Sequence, residues 1–148
     1  MLQQDNKEIE AIKFEMIQVF GVAYQSIGLS KLMGQIIGLL LFYTKPLSLD
    51  QISEELNMSK GPVSQITRRL HDSNLIKKIW LPGDRKDYYE IDPHIFGNAF
   101  QSSIQITQTN LMIAQNMKKN IDNINSDQLN ALKDRMNEME HFYSLMAK

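Results

Sequence analysis

The 148-residue sequence predicts a mainly α-helical chain that carries one small β-hairpin. Apolar residues recur every three or four positions along most of the chain, which is the period of an amphipathic helix. The stretch after Asn74 is instead rich in Ile, Trp and Tyr, which favour strands, and the turn signal Pro82-Gly83-Asp84 interrupts it. With 43% hydrophobic and 22% charged residues, the composition is that of an ordinary globular protein.

Two helices are predicted before the first break, which falls at Lys45-Pro46. The first helix covers about residues 4–26 and ends at Gly28. One of its faces carries apolar residues at alternating spacings of three and four, a regular helical stripe. The residues of this stripe are Ile9, Ile12, Met16, Val19 and Ala23.

The second helix contains the most apolar run of the chain, residues 36–43, and Ser30 can cap it. A membrane span needs about 20 residues, so this run predicts a buried core helix and no membrane segment. Gly34 and Gly38 lie four positions apart on this helix. Such a pair favours close packing against a neighbouring helix, because glycine lets another backbone approach.

Two short helices with a tight turn between them come next. Ser48 and Gln51 have the spacing of a capping box at the start of the first one. Asn57 can end it, because asparagine tolerates the left-handed conformation found at helix ends. Ser59 can cap the second helix, which has Pro62 in its first turn and runs to about residue 73. Its inward face would consist of Val63, Ile66 and Leu70.

The hairpin and two further helices complete the chain. We expect strands over residues 75–81 and 88–91, a helix over about residues 94–124, and a last helix that Ser126 caps. The long helix would extend roughly 46 Å, too far for a domain of this size to cover, so we expect it to pack against a second chain. The last helix has a heptad-like seam that suits either a partner helix or packing within one subunit. The seam comprises Leu129, Leu132, Met136, Met139, Tyr143 and Met146.

The order of helix, three-residue turn, helix and charged hairpin is typical of a winged helix-turn-helix. The exposed face of the second helix of the pair is polar. Glutamine, arginine and serine can bind base edges or phosphates in a major groove, and a glycine would let the backbone come close to DNA. This face comprises Gly61, Ser64, Gln65, Arg68, Arg69 and Asp72.

The charge distribution supports the same interpretation. The formal net charge is −1, yet residues 59–86 contain seven basic residues against two acidic ones. This local excess of +5 leaves −6 on the rest of the chain. Phosphate contacts would lie on this basic segment. The alternative is a solvated helix and hairpin whose charges serve solubility alone.

Two stretches, SKGPVSQITRRL from Ser59 and LPGDRKDYYEI from Leu81, resemble MarR-type winged-helix transcriptional regulators. The pattern from Gly34 to Phe42 and the PGDRK turn are most similar to the GbsR-like branch of that family. The resemblance covers the second helix through the hairpin and reaches the terminal helices only by their length and order.

The resemblance implies a homodimeric transcriptional regulator that binds double-stranded DNA at a pseudo-palindromic operator. We expect it to act as a repressor. The recognition helix would enter the major groove and the wing the minor groove. Arg85 would be the wing arginine, oriented by Asp84. The architecture adds a hypothesis of its own, that a small-molecule effector of unknown identity binds between the long helices and the DNA-binding part and changes the spacing of the recognition helices. The DNA-binding residues would be Ser59, Lys60, Gly61, Ser64, Gln65, Arg68, Arg69, Arg85 and Lys86.

We therefore expect three parts. Residues 1–28 would form an N-terminal dimerisation helix, residues 29–92 the winged helix-turn-helix DNA-binding domain, and residues 93–148 the C-terminal dimerisation helices. The second hypothesis is a winged-helix module that docks a partner protein through its long helices.

The sequence does not indicate a catalytic or metal site. It has no Cys, its three His lack metal-binding spacing, and it contains neither a phosphate-binding loop nor a nucleophile-elbow motif. We expect no enzyme activity, no cofactor and no metal. The polar start, Met1 to Glu10, is unlike a signal peptide, so a cytoplasmic protein is expected.

Overall fold

The computed structural model describes residues 1–147, which form two compact units, residues 1–98 and the residues from Ala99 onward. Residue 148 of the predicted C-terminal part lies outside the described residues. The mainly α-helical fold with a β-hairpin is confirmed. The first unit ends within α5, and its elements are α1 (Leu2–Ser26), α2 (Lys31–Phe42), β1 (Leu47–Ser48), α3 (Leu49–Leu56), α4 (Lys60–Asp72), β2 (Ile76–Trp80), β3 (Asp87–Ile91) and the start of α5 (Ile95–Ile121). The second unit holds the rest of α5 and α6 (Asp127–Met146).

The hairpin belongs to a three-stranded antiparallel sheet of order β1-β3-β2. Leu47 of β1 pairs with Tyr89 of β3, which in turn pairs with Lys78 of β2. The sequence did not predict β1, because two residues are too few to show a strand period. Both residues of β1 are buried, so this short strand ties the beginning of α3 to the sheet.

Helix α2 is the centre of the first unit. Seven of its residues are buried, and they include both of its glycines. Gly34 lies against the backbone of Phe20, and Gly38 lies against the backbone of Met16. The predicted close packing of these glycines against a neighbouring helix is confirmed, and the neighbour is α1 of the same unit.

Helix α1 has apolar residues on more than one face. The residues that turn toward α2 are centred on Ile17, Phe20 and Tyr24. Most of the predicted stripe faces solvent instead, since Ile9, Ile12 and Val19 are each about half exposed. The apolar stripe identified in the sequence therefore exists, but most of its side chains are exposed and could pack against another chain.

The second unit consists of two helices. Ser126 accepts a hydrogen bond from the backbone of Gln128 and so caps α6 as predicted. Lys118 and Glu140 form an ion pair of 3.1 Å across the two helices. No residue of α6 is fully buried, and five of the six predicted seam residues are only partly covered. Among the described residues, no helix is both long and apolar enough to cross a membrane.

Candidate nucleic-acid interface

The helix-turn-helix is built by local signals in the sequence. At the start of α3, the Ser48 hydroxyl accepts from the Gln51 amide at 3.2 Å, and the Gln51 side chain accepts from the Ser48 amide at 2.8 Å. This is the predicted capping box. Asn57 ends α3 in the left-handed conformation, with φ 53°. The chain then turns and enters α4 at Lys60, so the predicted three-residue turn is confirmed.

The apolar face of α4 fixes how the helix presents its other side. Val63 and Leu70 are completely buried, and Ile66 is nearly so. Thr67 is also buried, and its hydroxyl donates to the Ser64 carbonyl at 2.9 Å. Because these residues anchor one side of α4 in the core, the opposite side is held facing outward.

The outward face of α4 carries the residues predicted from the sequence. All of them are exposed except Ser64, which is half buried. Ser59 occupies the N-cap position, but its side chain makes no capping hydrogen bond, so its hydroxyl can bind an external group. Gly61 has no atom within 4 Å of where a Cβ would stand. The predicted helix residues on this face are Ser59, Lys60, Gly61, Ser64, Gln65, Arg68 and Arg69.

The wing is the β2–β3 hairpin, and Asp84 shapes its tip. The Tyr88 hydroxyl donates to Asp84 Oδ2 at 2.6 Å, and the Lys86 amide donates to Asp84 Oδ1 at 2.9 Å. These bonds, the Tyr88 bond foremost, hold the pKa of Asp84 below its usual value and that of Tyr88 above. Gly83, at φ +79°, supplies the left-handed residue that the turn requires.

The expectation that Asp84 orients the side chain of Arg85 was wrong. The Asp84 carboxylate accepts from Tyr88 and Lys86 and so organises the loop, and among the described residues no ion pair joins it to the Arg85 guanidinium. Arg85 and Lys86 are both exposed at the tip. Within residues 1–147, no ion pair involves Arg85.

Asp50 is a residue of this surface that sequence reasoning missed. Its carboxylate forms an ion pair with Lys60 at the start of α4 and another, of 3.5 Å, with Lys86 of the wing. Lys60, followed by Lys86, lowers the pKa of Asp50. In the sequence Asp50 is only an acidic residue in the first turn of α3. The contact joins three elements, so no local pattern could have indicated it.

A second missed cluster joins α1 to the helix-turn-helix. Lys13 Nζ lies 2.8 Å from Glu55 and 2.9 Å from Glu10, and the Tyr43 hydroxyl donates to Glu55 at 2.7 Å. The Lys13 side chain is only 13% exposed. Glu55 and Glu10 raise the pKa of Lys13. Burial raises the pKa of Glu55, but the bonds from Lys13 and Tyr43 outweigh it and lower the pKa overall.

Comparison with known proteins places this geometry in a class. The family model for winged helix-turn-helix DNA-binding domains matches residues 41–77, from the end of α2 into β2. The crystal structure of a transcriptional regulator superposes with a TM-score of 0.76 at 21% identity, over 91% of this chain and 90% of that one. The fold is thus that of a winged helix-turn-helix protein.

Two curated relatives indicate which kind of winged helix-turn-helix protein the chain is similar to. The HTH-type transcriptional repressor OpcR of Bacillus subtilis is 22% identical over 95% of this chain and 83% of its own length. The HTH-type transcriptional repressor GbsR of the same organism is 27% identical over 60% of this chain, and the match spans about half of that relative, 52%. Together with the family model, these relatives support a DNA-binding transcriptional regulator of the MarR type. The similarity to GbsR agrees with the resemblance noted in the sequence.

Proposed function

We propose that the chain acts as a homodimeric repressor on a pseudo-palindromic operator. In this proposal α4 enters the major groove and the wing enters the adjacent minor groove. The observation that carries it is the shared contact of Lys60 and Lys86 with Asp50. One carboxylate reaches both lysines, so the start of α4 and the wing tip stand beside each other and can face one duplex.

The residues have distinct roles in this proposal. Gln65, Arg68 and Arg69 read base edges, because amide and guanidinium groups match adenine and guanine in the major groove. Ser59, Lys60 and Lys86 bind phosphates, and Ser64 and Gly61 allow close approach of the backbone. Arg85 enters the minor groove, where a cation is favoured by the negative potential.

Exposed apolar residues of α1 and α5 support the homodimer. Val19 and Val22 of α1 are more than half exposed, and Ile106 and Met112 of α5 are 61% and 60% exposed. Leaving so many large apolar side chains in water is unfavourable, whereas a second copy would cover them.

OpcR and GbsR are both named as repressors, which supports repression and not activation as the effect of this chain on transcription. A regulator of this kind works in the cytoplasm, with its DNA.

Recovery of bound fragments from random or genomic DNA tests the proposal directly. We expect a selected motif with two inverted half-sites whose centres lie about 34 Å apart, one turn of the duplex. Affinity should fall steeply with salt, by about 0.9 in log K per log salt for each phosphate contact. If a folded protein recovers no sequence above background at low salt, the proposal is wrong. When a duplex is recovered, a metabolite screen against that duplex reveals an effector by a change in affinity.

The second candidate is a module that docks a partner protein, and the incompletely covered α6 favours it. Size-exclusion chromatography with light scattering separates the two. A stable dimer supports the repressor, whereas a monomer whose long helices remain uncovered supports a different partner.

A further inference from the structure

Trp80 is the only tryptophan of the chain and stands at the end of β2, next to the wing turn. Its side chain is 73% exposed and belongs neither to the buried core nor to the residues packed against it. Tryptophan has a large apolar area whose exposure is unfavourable, and at binding surfaces it often supplies a main contact. Leu81, the next residue, is also exposed.

The strand register shows which way this side chain faces. Trp80 pairs directly with Asp87, and Lys78 pairs with Tyr89. Side chains of directly paired residues, and of residues two apart on one strand, share a face of the sheet. Tyr89 is buried in the core, so this is the face that packs on the helices. At Trp80 the hairpin extends beyond the core, and the same face becomes exposed.

The neighbours of this face place it beside the recognition helix. Asp87, opposite Trp80, lines a small groove together with Tyr89, Lys60 and Lys86. Lys78 Nζ lies 3.7 Å from Asp87. The tryptophan therefore stands on the side of the wing that faces the start of α4, where the lysines of the proposed DNA surface meet.

We propose that Trp80 is a further DNA contact of the wing and packs its ring against the deoxyribose backbone at the edge of the minor groove that Arg85 enters. This inference rests on the proposed DNA-binding function. Charge complementarity selects the occupant. Lys78 lies on the same face of the sheet as Trp80, Lys60 and Lys86 line the groove beside Asp87, and Arg85 is exposed at the wing tip. This side of the wing therefore offers cations beside an apolar ring. A nucleic-acid backbone offers apolar sugar faces between phosphates, which match both features.

The tryptophan itself reports on the proposal in the unmodified protein. A fluorescein-labelled copy of the selected duplex measures binding by anisotropy, and an unlabelled copy is used to follow tryptophan emission and its quenching by acrylamide. Formation of the complex should change the emission and reduce acrylamide quenching severalfold. A control protein with Trp80→Phe and Phe142→Trp moves the fluorophore to α6, where binding should leave the emission unchanged.

Substitution tests the contact by affinity. Trp80→Ala should weaken binding by about tenfold, the size of one aromatic contact to nucleic acid, and Trp80→Phe should recover most of this loss. Because the ring is uncharged, neither change should alter the dependence of affinity on salt. Arg85→Ala should reduce that dependence by about one phosphate contact.

The outcomes separate this inference from the proposed function. If the labelled duplex does not bind, the proposed function fails and the inference with it. If the duplex binds but acrylamide quenching of Trp80 stays the same and Trp80→Ala keeps full affinity, only the inference is wrong. If quenching falls with protein concentration in the absence of DNA, a second copy covers the ring, and the inference is also wrong.

Discussion

Replacement of Gly34 by alanine tests whether α1 is docked on the DNA-binding unit through backbone contact. A Cβ added at Gly34 would overlap the Phe20 carbonyl oxygen and would stand 2.9 Å from the Cβ of Tyr24. Two of these three neighbours, the Phe20 carbonyl oxygen and carbon, are backbone atoms of a helix. They cannot rotate away, so α1 as a whole must shift from α2 to admit the methyl group.

The expected cost follows from two opposing effects. In a helix interior, alanine is favoured over glycine by about 1 kcal/mol, which would stabilise the variant. Overpacking of a close contact costs typically 1–3 kcal/mol, and more where backbone must move. Shifting α1 also loosens the contacts of Ile17 and Tyr24 with the core. We expect a net loss of about 2 kcal/mol, which lowers the melting temperature by about 4–8 °C in a chain of this size.

Urea unfolding followed by far-ultraviolet circular dichroism measures this loss, and Gly97→Ala is the matched control. Gly97 lies near the start of α5, and no atom stands within 4 Å of its added Cβ. Alanine should therefore leave stability unchanged or raise it by up to about 1 kcal/mol at that site. If Gly34→Ala is as stable as Gly97→Ala, the close crossing of α1 and α2 does not exist in solution.

Three further predictions concern the DNA surface and its support. Arg68→Ala should relax discrimination at one base position, by about 1–3 kcal/mol if the arginine reads guanine, whereas Arg85→Ala should weaken all duplexes evenly; competition assays with single-base variants distinguish these effects. Asp50→Asn should strengthen binding to random-sequence duplex at low salt, because it removes an acidic charge beside two cations; Asp50→Glu should not, and equal affinities of the two variants would contradict this role. Glu55→Gln should lower stability at pH 7 by about 1–2 kcal/mol, because it leaves the mostly covered Lys13 short of its main partner. Folding lowers the pKa of Glu55 from the usual 4.5, so its contribution is complete above that pH and is lost as the pH falls through the lowered value. The stability difference between wild type and Glu55→Gln should therefore shrink in acid, and a difference that stays constant down to the lowest pH would exclude this cause.

Elements with local signals could be predicted from the sequence. The capping box at Ser48, the left-handed Asn57 and the Pro-Gly turn each depend on residues within a few positions of one another. Their conformations follow from local hydrogen bonds and steric limits, which the sequence contains directly. The strand β1 has no such signal, because it exists only through pairing with β3.

The packing face of α1 needed tertiary information. The helix has apolar residues on several sides, and the most regular stripe, which includes Ile12 and Val19, is largely exposed. What selects the inner face is the pair of glycines on α2, which lets the backbone at Phe20 and Met16 approach. Periodicity detects that a residue is apolar, but it does not show which neighbour has room for it.

The same limit applies to charge, and it changes what the basic segment means. Counting gave an excess of +5 over residues 59–86, as if all its cations were equivalent. In the structure, lysines of this segment are held by carboxylates: Asp50 binds Lys60 and Lys86, and Asp87 binds Lys78. Within residues 1–147, no ion pair involves Arg68, Arg69 or Arg85.

This division assigns different physical tasks to the two kinds of cation. The side chain of a paired lysine is already partly ordered before DNA binds, but a phosphate must compete with the carboxylate that holds the lysine. The ion pair therefore weakens binding to any duplex. An unpaired arginine keeps all its donors for a base edge, where its planar group can bind two acceptors of guanine. We therefore expect changes at Asp50 to act mainly on non-specific affinity and changes at Arg68 to act mainly on sequence preference. If both sets of variants altered the two quantities in the same proportion, the pairing seen in the structure would not govern how this surface recognises DNA.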